Sequence, residues 1–381
     1  MKPAAHPCRQ RPILVALCLS LLLWAGWMPA RSQGWKFLVV GDTLRIDPAN
    51  PINTNLVTEL ANAITNEAPA FVLIAGDLIY AGGEPLFQQW TNLMAPVYQA
   101  GIGVYPAVGN HDIDYLESFT NVFGPSLPDN GPVDELDTTY ALAYSNALVL
   151  VFNEFSATND YRINQPWLEA LLATNTRPHI FALGHMPAFK VLHPDCLAYY
   201  PTNRNLFWNS LSNAHARIYF CGHDHFYDHS RLDEGDGNPD NDLHQIIVGT
   251  GGAPLYPDGA YDGPNDRWTP QRVFHEAQFG YVSVEVDQDL VRTTWHHRTG
   301  TNSFAATAEI FTYSLAPRPA LHFSYSGAQL VLTWSGDFRL EVAPESSGPF
   351  TPVPEATSPH VAGLAKASKT FYRLARSAPG L

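Results

Sequence analysis

Five apolar runs in this chain end in glycine and pass at once to a carboxylate, carboxamide or imidazole side chain. The junctions are Gly41-Asp42, Gly76-Asp77, Gly109-Asn110-His111-Asp112, Gly184-His185 and Gly222-His223-Asp224-His225. Short β-branched and aromatic runs bounded by glycine read as buried strands. In open α/β sheets the residues just past the carboxyl ends of strands share one crevice, and glycine allows the sharp turn into it. Aspartate, asparagine and histidine offer oxygen and nitrogen donors suited to hard and borderline metal ions, whereas soft-metal sites call for thiolates. Taken singly, an aspartate after a strand is a turn residue and a histidine is a satisfied core group. Five such junctions in order, ending in Gly-His-Asp-His, point to a binuclear metal centre.

In block order these junctions resemble the calcineurin-like metallophosphoesterases, over roughly residues 35–230. The first block departs from the commonest form of that family, because Leu44 stands where a histidine is usual. The second block reads Gly76-Asp77-Leu78-Ile79-Tyr80, with a tyrosine three residues after the aspartate. A missing histidine and a present tyrosine together resemble the purple acid phosphatase branch, in which a phenolate binds a ferric ion.

The resemblance implies an α/β (α+β) fold: a four-layer β-sandwich with flanking helices. It implies two metal ions, Fe(III) plus a divalent ion (Zn, Fe or Mn). Asp42, Asp77, Tyr80 and His225 would hold the ferric ion, and Asp77, Asn110, His185 and His223 the divalent one, with Asp77 bridging. His111 would contact phosphate and Asp112 would orient His111. His193, eight residues past His185, takes the place of a histidine that protonates the leaving group, or is an ordinary loop histidine. The implied activity is hydrolysis of phosphate monoesters by metal-activated hydroxide. A phosphodiesterase or nucleotidase with the same centre is the alternative. A non-catalytic envelope or glycan-binding protein is the reading from another class.

The chain has 381 residues and a formal net charge of −14, without a basic run in the mature part, which argues against nucleic acid as a partner. A small phosphate ester is the expected one. Lys2, Arg9 and Arg11 precede the apolar run 13–28, and Pro29-Ala30-Arg31-Ser32 breaks it, as in a secretory signal peptide. The expectation is a secreted, periplasmic or cell-envelope protein with no stable membrane insertion after cleavage. Removing that segment leaves Cys196 and Cys221, for which a disulfide and two separate buried thiols both stay open.

The expected domains are a signal peptide at 1–32, a catalytic domain at 33–315 and a small all-β module at 316–381, whose partner the sequence does not name. Helical spacing marks 56–67, 86–99, the stretch after Pro166, and 205–214. Strands are expected at 142–153, 245–249, 281–286, 291–298 and 309–314, and about five short ones beyond Pro317-Arg318-Pro319. The acidic stretch 233–242 alternates Asp236, Asn238, Asp240 and Asp242 as calcium loops can. An EF-hand needs glycine at Asn241 and glutamate at Ile247, so the stretch reads as a solvated turn between two strands.

Overall fold

The computed structural model describes residues 34–156, 160–261, 267–315, 321–326, 329–335, 338–363 and 369–376. The expected signal peptide at 1–32 lies outside the described residues. The first apolar run forms β1 (Trp35–Val40), followed by β2 (Phe71–Ile74) and β3 (Gly103–Pro106), all parallel. A second sheet takes β4 (Tyr140–Tyr144), β5 (Ala147–Val151), β6 (His179–Leu183), β7 (Ile218–Cys221), β8 (Tyr227–Asp233), β9 (Leu243–Val248) and β10 (Thr269–Glu276). The chain then returns to the first sheet as β11 (Gly280–Asp287), β12 (Leu290–Gly300) and β13 (Ser303–Ser314).

Alternation along the strands builds the layers, because successive side chains point to opposite faces. In β5, Val149 and Val151 join the core between the two sheets, while Leu148 and Leu150 join a second core. The inter-sheet core includes Phe37 stacked on Phe71 at 5.1 Å and meeting Phe181 edge-on at 5.0 Å. Helices α1 (Thr54–Glu67), α2 (Glu84–Leu93), α3 (Ala95–Gln99) and α4 (Leu116–Phe123) cover the outer face of the first sheet. The second core lies under α5 (Gln165–Thr174) and α6 (Pro201–Asn213) through Leu168, Phe207, Trp208 and Leu211. The result is helix, sheet, sheet, helix: the expected four layers.

Several local expectations need correction, and one open question is decided. The run 86–99 is two helices, because the fixed ring of Pro96 opens a new first turn after Met94. The run 142–153 is a hairpin of β4 and β5, turning at Ser145, whose φ is 49°. Cys196 and Cys221 are both free and fully buried, so they form no disulfide. Burial pushes the Cys196 thiol up to about 12. Beyond residue 320 the described residues hold six short strands rather than five, in two three-stranded antiparallel sheets: β14 (His322–Ser326), β15 (Gln329–Thr333) and β18 (His360–Gly363), and β16 (Phe338–Ala343), β17 (Thr351–Pro352) and β19 (Phe371–Arg376).

Candidate metal centre

The five junctions meet at the carboxyl ends of β1, β2, β3, β6 and β7. Backbone hydrogen bonds sew them together: Asp42 N–H donates to Gly76 O (3.0 Å), Gly222 N–H to His185 O (2.8 Å) and Gly41 N–H to Val248 O (2.9 Å). Asp42, Asp77 and His223 all adopt left-handed backbone, with φ of 58°, 53° and 70°. Such conformations cost non-glycine residues of order 1–3 kcal/mol and gather at functional sites. Glycine is required where the loops press closest: a Cβ on Gly109 would lie 2.1 Å from Asp77 Oδ1, and one on Gly222 would lie 2.2 Å from Asp42 Oδ2.

Ligand atoms of Asp42, Asp77 and His185 all lie within 4.8 Å of one another, fully buried. Asn110 Oδ1 sits 2.9 Å from both His185 Nε2 and His223 Nδ1, and Asp77 Oδ2 sits 3.6 Å from His185 Nε2. On the other side, His225 Nε2 approaches Asp42 Oδ1 at 3.5 Å. The structure thus gathers Asp77, Asn110, His185 and His223 at one pole, and Asp42 and His225 at the other. Leu44 is fully buried at the position where the family's histidine is usual, its N–H donating to Asp77 O.

The donor set fits metal ions. His185 Nδ1–H donates to Ala75 O (2.8 Å) and His225 Nδ1–H donates to Pro254 O (3.0 Å), leaving each Nε2 as a lone pair. Burial, then neighbouring charge, holds His185 well below its ordinary range; burial pushes His225 down to about 4. The neutral Nε2 atoms therefore face carboxylate and amide oxygens, acceptor against acceptor. Burial, then repulsion from Asp77, pushes the Asp42 carboxyl well up, and burial followed by Asp112 pushes Asp77 up. No lysine or arginine forms an ion pair with either carboxylate among the described residues. Cations bound among these atoms would satisfy both the lone pairs and the buried charge.

The remaining expected residues divide. Tyr80 is half-buried with its ring 4.7 Å from that of His111, and no hydrogen bond ties its hydroxyl to the ligands among the described residues. His111 N–H donates to Asp77 Oδ1 (2.9 Å), which leaves its half-buried ring at the edge of the centre. Asp112 does not orient that ring. It is fully buried and accepts from Leu78 N–H (3.1 Å), Ile79 N–H (3.5 Å) and Gly109 N–H (3.0 Å), pinning the second junction to the third. The turn beginning at Gly109 directs Asp112 inward, away from its neighbour.

His193 is brought to the centre: its ring lies 5.0 Å from that of His223. Its Nδ1–H donates to Asp224 Oδ1 at 2.6 Å, and Asp224 also accepts from the backbone N–H groups of Leu192 and His193. Sequence reasoning gave Asp224 no role, although it stands between two ligands. It also missed Glu154, fully buried, which accepts from His185 N–H (2.8 Å) and Met186 N–H (2.6 Å) and so fixes the fourth junction. Asp195 Oδ1 lies 3.5 Å from His223 Nε2. These roles depend on contacts between distant segments, and no local signal announces them.

Residues 36–227 match the calcineurin-like phosphoesterase family. Among curated proteins no sequence matches. Solved structures share the fold. A purple acid phosphatase from yellow lupin (Lupinus luteus) is 18% identical with a TM-score of 0.57, over 74% of this chain and 54% of that one. This chain therefore spans about half that enzyme's length. The anchor of the inner membrane complex of Plasmodium is 14% identical with a TM-score of 0.51, over 74% and 90% of the two chains.

Proposed function

The chain belongs to the calcineurin-like phosphoesterase family, and from that premise we propose that it is an exported phosphatase of purple-acid type acting on phosphate monoesters. The observation that carries the reading is an acceptor-lined centre with two imidazoles, His111 and His193, on its rim. A monoester offers what this arrangement needs: terminal oxygens to neutralise and a leaving alkoxide to protonate. Cations held there supply the Lewis acidity that activates water and offsets phosphoryl charge.

The chain's own residues do the rest. Asp42 and His225 hold one pole, Asn110, His185 and His223 hold the other, and Asp77 lies between. His111 presents its ring to a phosphoryl oxygen, with Tyr80 packed against it. Because Asp224 accepts the hydrogen bond from Nδ1–H of His193, Nε2 is the nitrogen left to pass a proton to the leaving oxygen. Tyr80 is assigned as the ferric phenolate because Leu44 cannot coordinate.

Hydrolysis of 4-nitrophenyl phosphate should exceed that of bis(4-nitrophenyl) phosphate; the reverse preference would make the protein a diesterase. Iron-loaded, oxidised protein should show a visible charge-transfer band that Tyr80→Phe removes. A colourless iron-loaded protein would take it out of the purple branch. Export predicts a mature N-terminus near residue 33, read by N-terminal sequencing of protein from outside the cytoplasm.

A further inference from the structure

The two ring nitrogens of His223 meet different surroundings. Nδ1 lies 2.9 Å from Asn110 Oδ1, the oxygen that also stands 2.9 Å from His185 Nε2. His185 presents a lone pair there, and both imidazoles converge on one amide oxygen, so Nδ1 is the His223 nitrogen that faces the divalent pole. Nε2 then carries the proton, and a buried N–H needs an acceptor. It has no hydrogen-bond partner among the described residues, although His223 is only 7% exposed. The one carboxylate within 4 Å of it among the described residues is that of Asp195, with Oδ1 3.5 Å away. We propose that Asp195 is a positioning residue of the centre: it accepts the Nε2–H of His223 and so keeps the Nδ1 lone pair on the divalent pole.

The role presupposes the proposed metal-binding function of the centre, and it adds a carboxylate that lies outside all five junctions. A gap of 3.5 Å is long for a hydrogen bond. The Asp195 side chain is 47% exposed, so it is free to move the few tenths of an ångström that bring Oδ1 to about 2.8 Å, the span of a charge-assisted bond. His223 is the fixed partner, because its own N–H is held by both carboxylate oxygens of Asp42 at 3.1 Å.

The loop that carries Asp195 is itself tied down. Asp224 accepts the N–H groups of Leu192 (3.1 Å) and His193 (3.2 Å), and Leu197 N–H donates to Pro187 O (3.1 Å). The contacts cross: Asp224, next to His223, grips the His193 ring, while Asp195, two residues past His193, faces the His223 ring. Each segment thus offers a carboxylate to the other's histidine, and one short loop carries both the proposed leaving-group acid and the brace of a metal ligand. An unbraced imidazole can turn the wrong tautomer, N–H first, toward a cation. Carboxylates that fix metal-binding histidines contribute about 10–100-fold to metal affinity.

Zinc titration of the metal-free full chain against a competing chelator, joined to tautomer-resolving nitrogen-15 NMR of the zinc-loaded protein, tests this. The wild type should bind two zinc ions and show His223 protonated at Nε2. Asp195→Ala should weaken one site by about 10–100-fold and leave the other unchanged, because His223 serves the divalent pole alone. Asp195→Asn, which keeps an acceptor oxygen, should recover most of that loss. An equal effect of Asp195→Ala on both sites, no effect on either, or zinc bound at His223 Nε2 would overturn the role while leaving the centre in place. A wild type that binds no zinc would overturn the centre and the role with it. The tautomer is read on the wild type, so it decides the matter even if Asp195→Ala does not fold.

Discussion

His111 and His193 differ in what holds them, and the difference sets their expected effects. His111 is tied only through its backbone, to Asp77, so replacing its ring should leave the ligands in place. His111→Ala should keep its metal content and lose turnover by about 10²–10³, the size seen when one preorganised partner of transition-state charge is removed. Metal loss in parallel with activity would make His111 structural. His193 is held by a buried carboxylate, and the two should act as a pair. His193→Ala and Asp224→Asn should both slow alkyl phosphates more than aryl phosphates, because only the poor leaving group needs the proton. Equal losses across leaving groups, read from kcat, would remove the acid role. The candidate ligands that the structure gathers were legible because each lies within three residues of a glycine at a strand end. Asp224, Glu154 and Asp195 were not, since their partners lie 31 residues or so away in the chain and meet them only in the fold. Asp112 was misread for the same reason: its backbone partners at Leu78 and Ile79 belong to another junction.

At the scale of elements, the strands found from sequence were the continuous apolar ones, fully buried as β2, β6 and β7. Strands β8 and β10 escaped because they are polar. The sequence Tyr227-Asp228-His229-Ser230-Arg231 looks like a loop, yet its polar groups find partners on both faces of the sheet, Tyr227 and His229 toward Glu309 and Asp228 and Ser230 toward Tyr261. His229 Nδ1–H donates to Glu309 Oε1 (2.6 Å), and His229 and His244 share a hydrogen bond at 2.7 Å, joining β8, β9 and β13. His244 is buried against Phe311, with ring centroids 3.9 Å apart. Burial, then His229, Arg231 and Arg217, holds His244 well below its ordinary range. A histidine with a lowered folded pKa is neutral when folded and takes up a proton on unfolding. Its stabilising effect is therefore full above the unfolded value of about 6.5 and is lost as pH falls below it. The wild type should lose up to about 1.4 kcal/mol per pH unit more than His244→Gln below that point, measured by urea unfolding at a series of pH values. Parallel stability profiles for the two proteins would show that His244 is charged in the fold.

Across the whole molecule, the candidate chemistry is confined to one stretch of the chain. Every ligand and both rim histidines precede residue 226, and the side-chain hydrogen bonds and ion pairs described for residues 321–376 all stay within that segment. Removing residues 316–381 should leave turnover within about twofold; loss of turnover in a truncated protein that stays folded would show that the module supports the centre. The proline-rich boundary expected at 317–319 lies outside the described residues. The split of the module into two three-stranded sheets was not legible, because short strands of five or six residues carry too little periodicity to assign their pairing. The account as a whole rests on Asp77 lying between two poles of one centre. Elemental analysis of metal per chain in the wild type and in Asp77→Ala tests it most directly. The account predicts close to two metals in the wild type and fewer than one in the variant, whereas two metals retained by Asp77→Ala would contradict it.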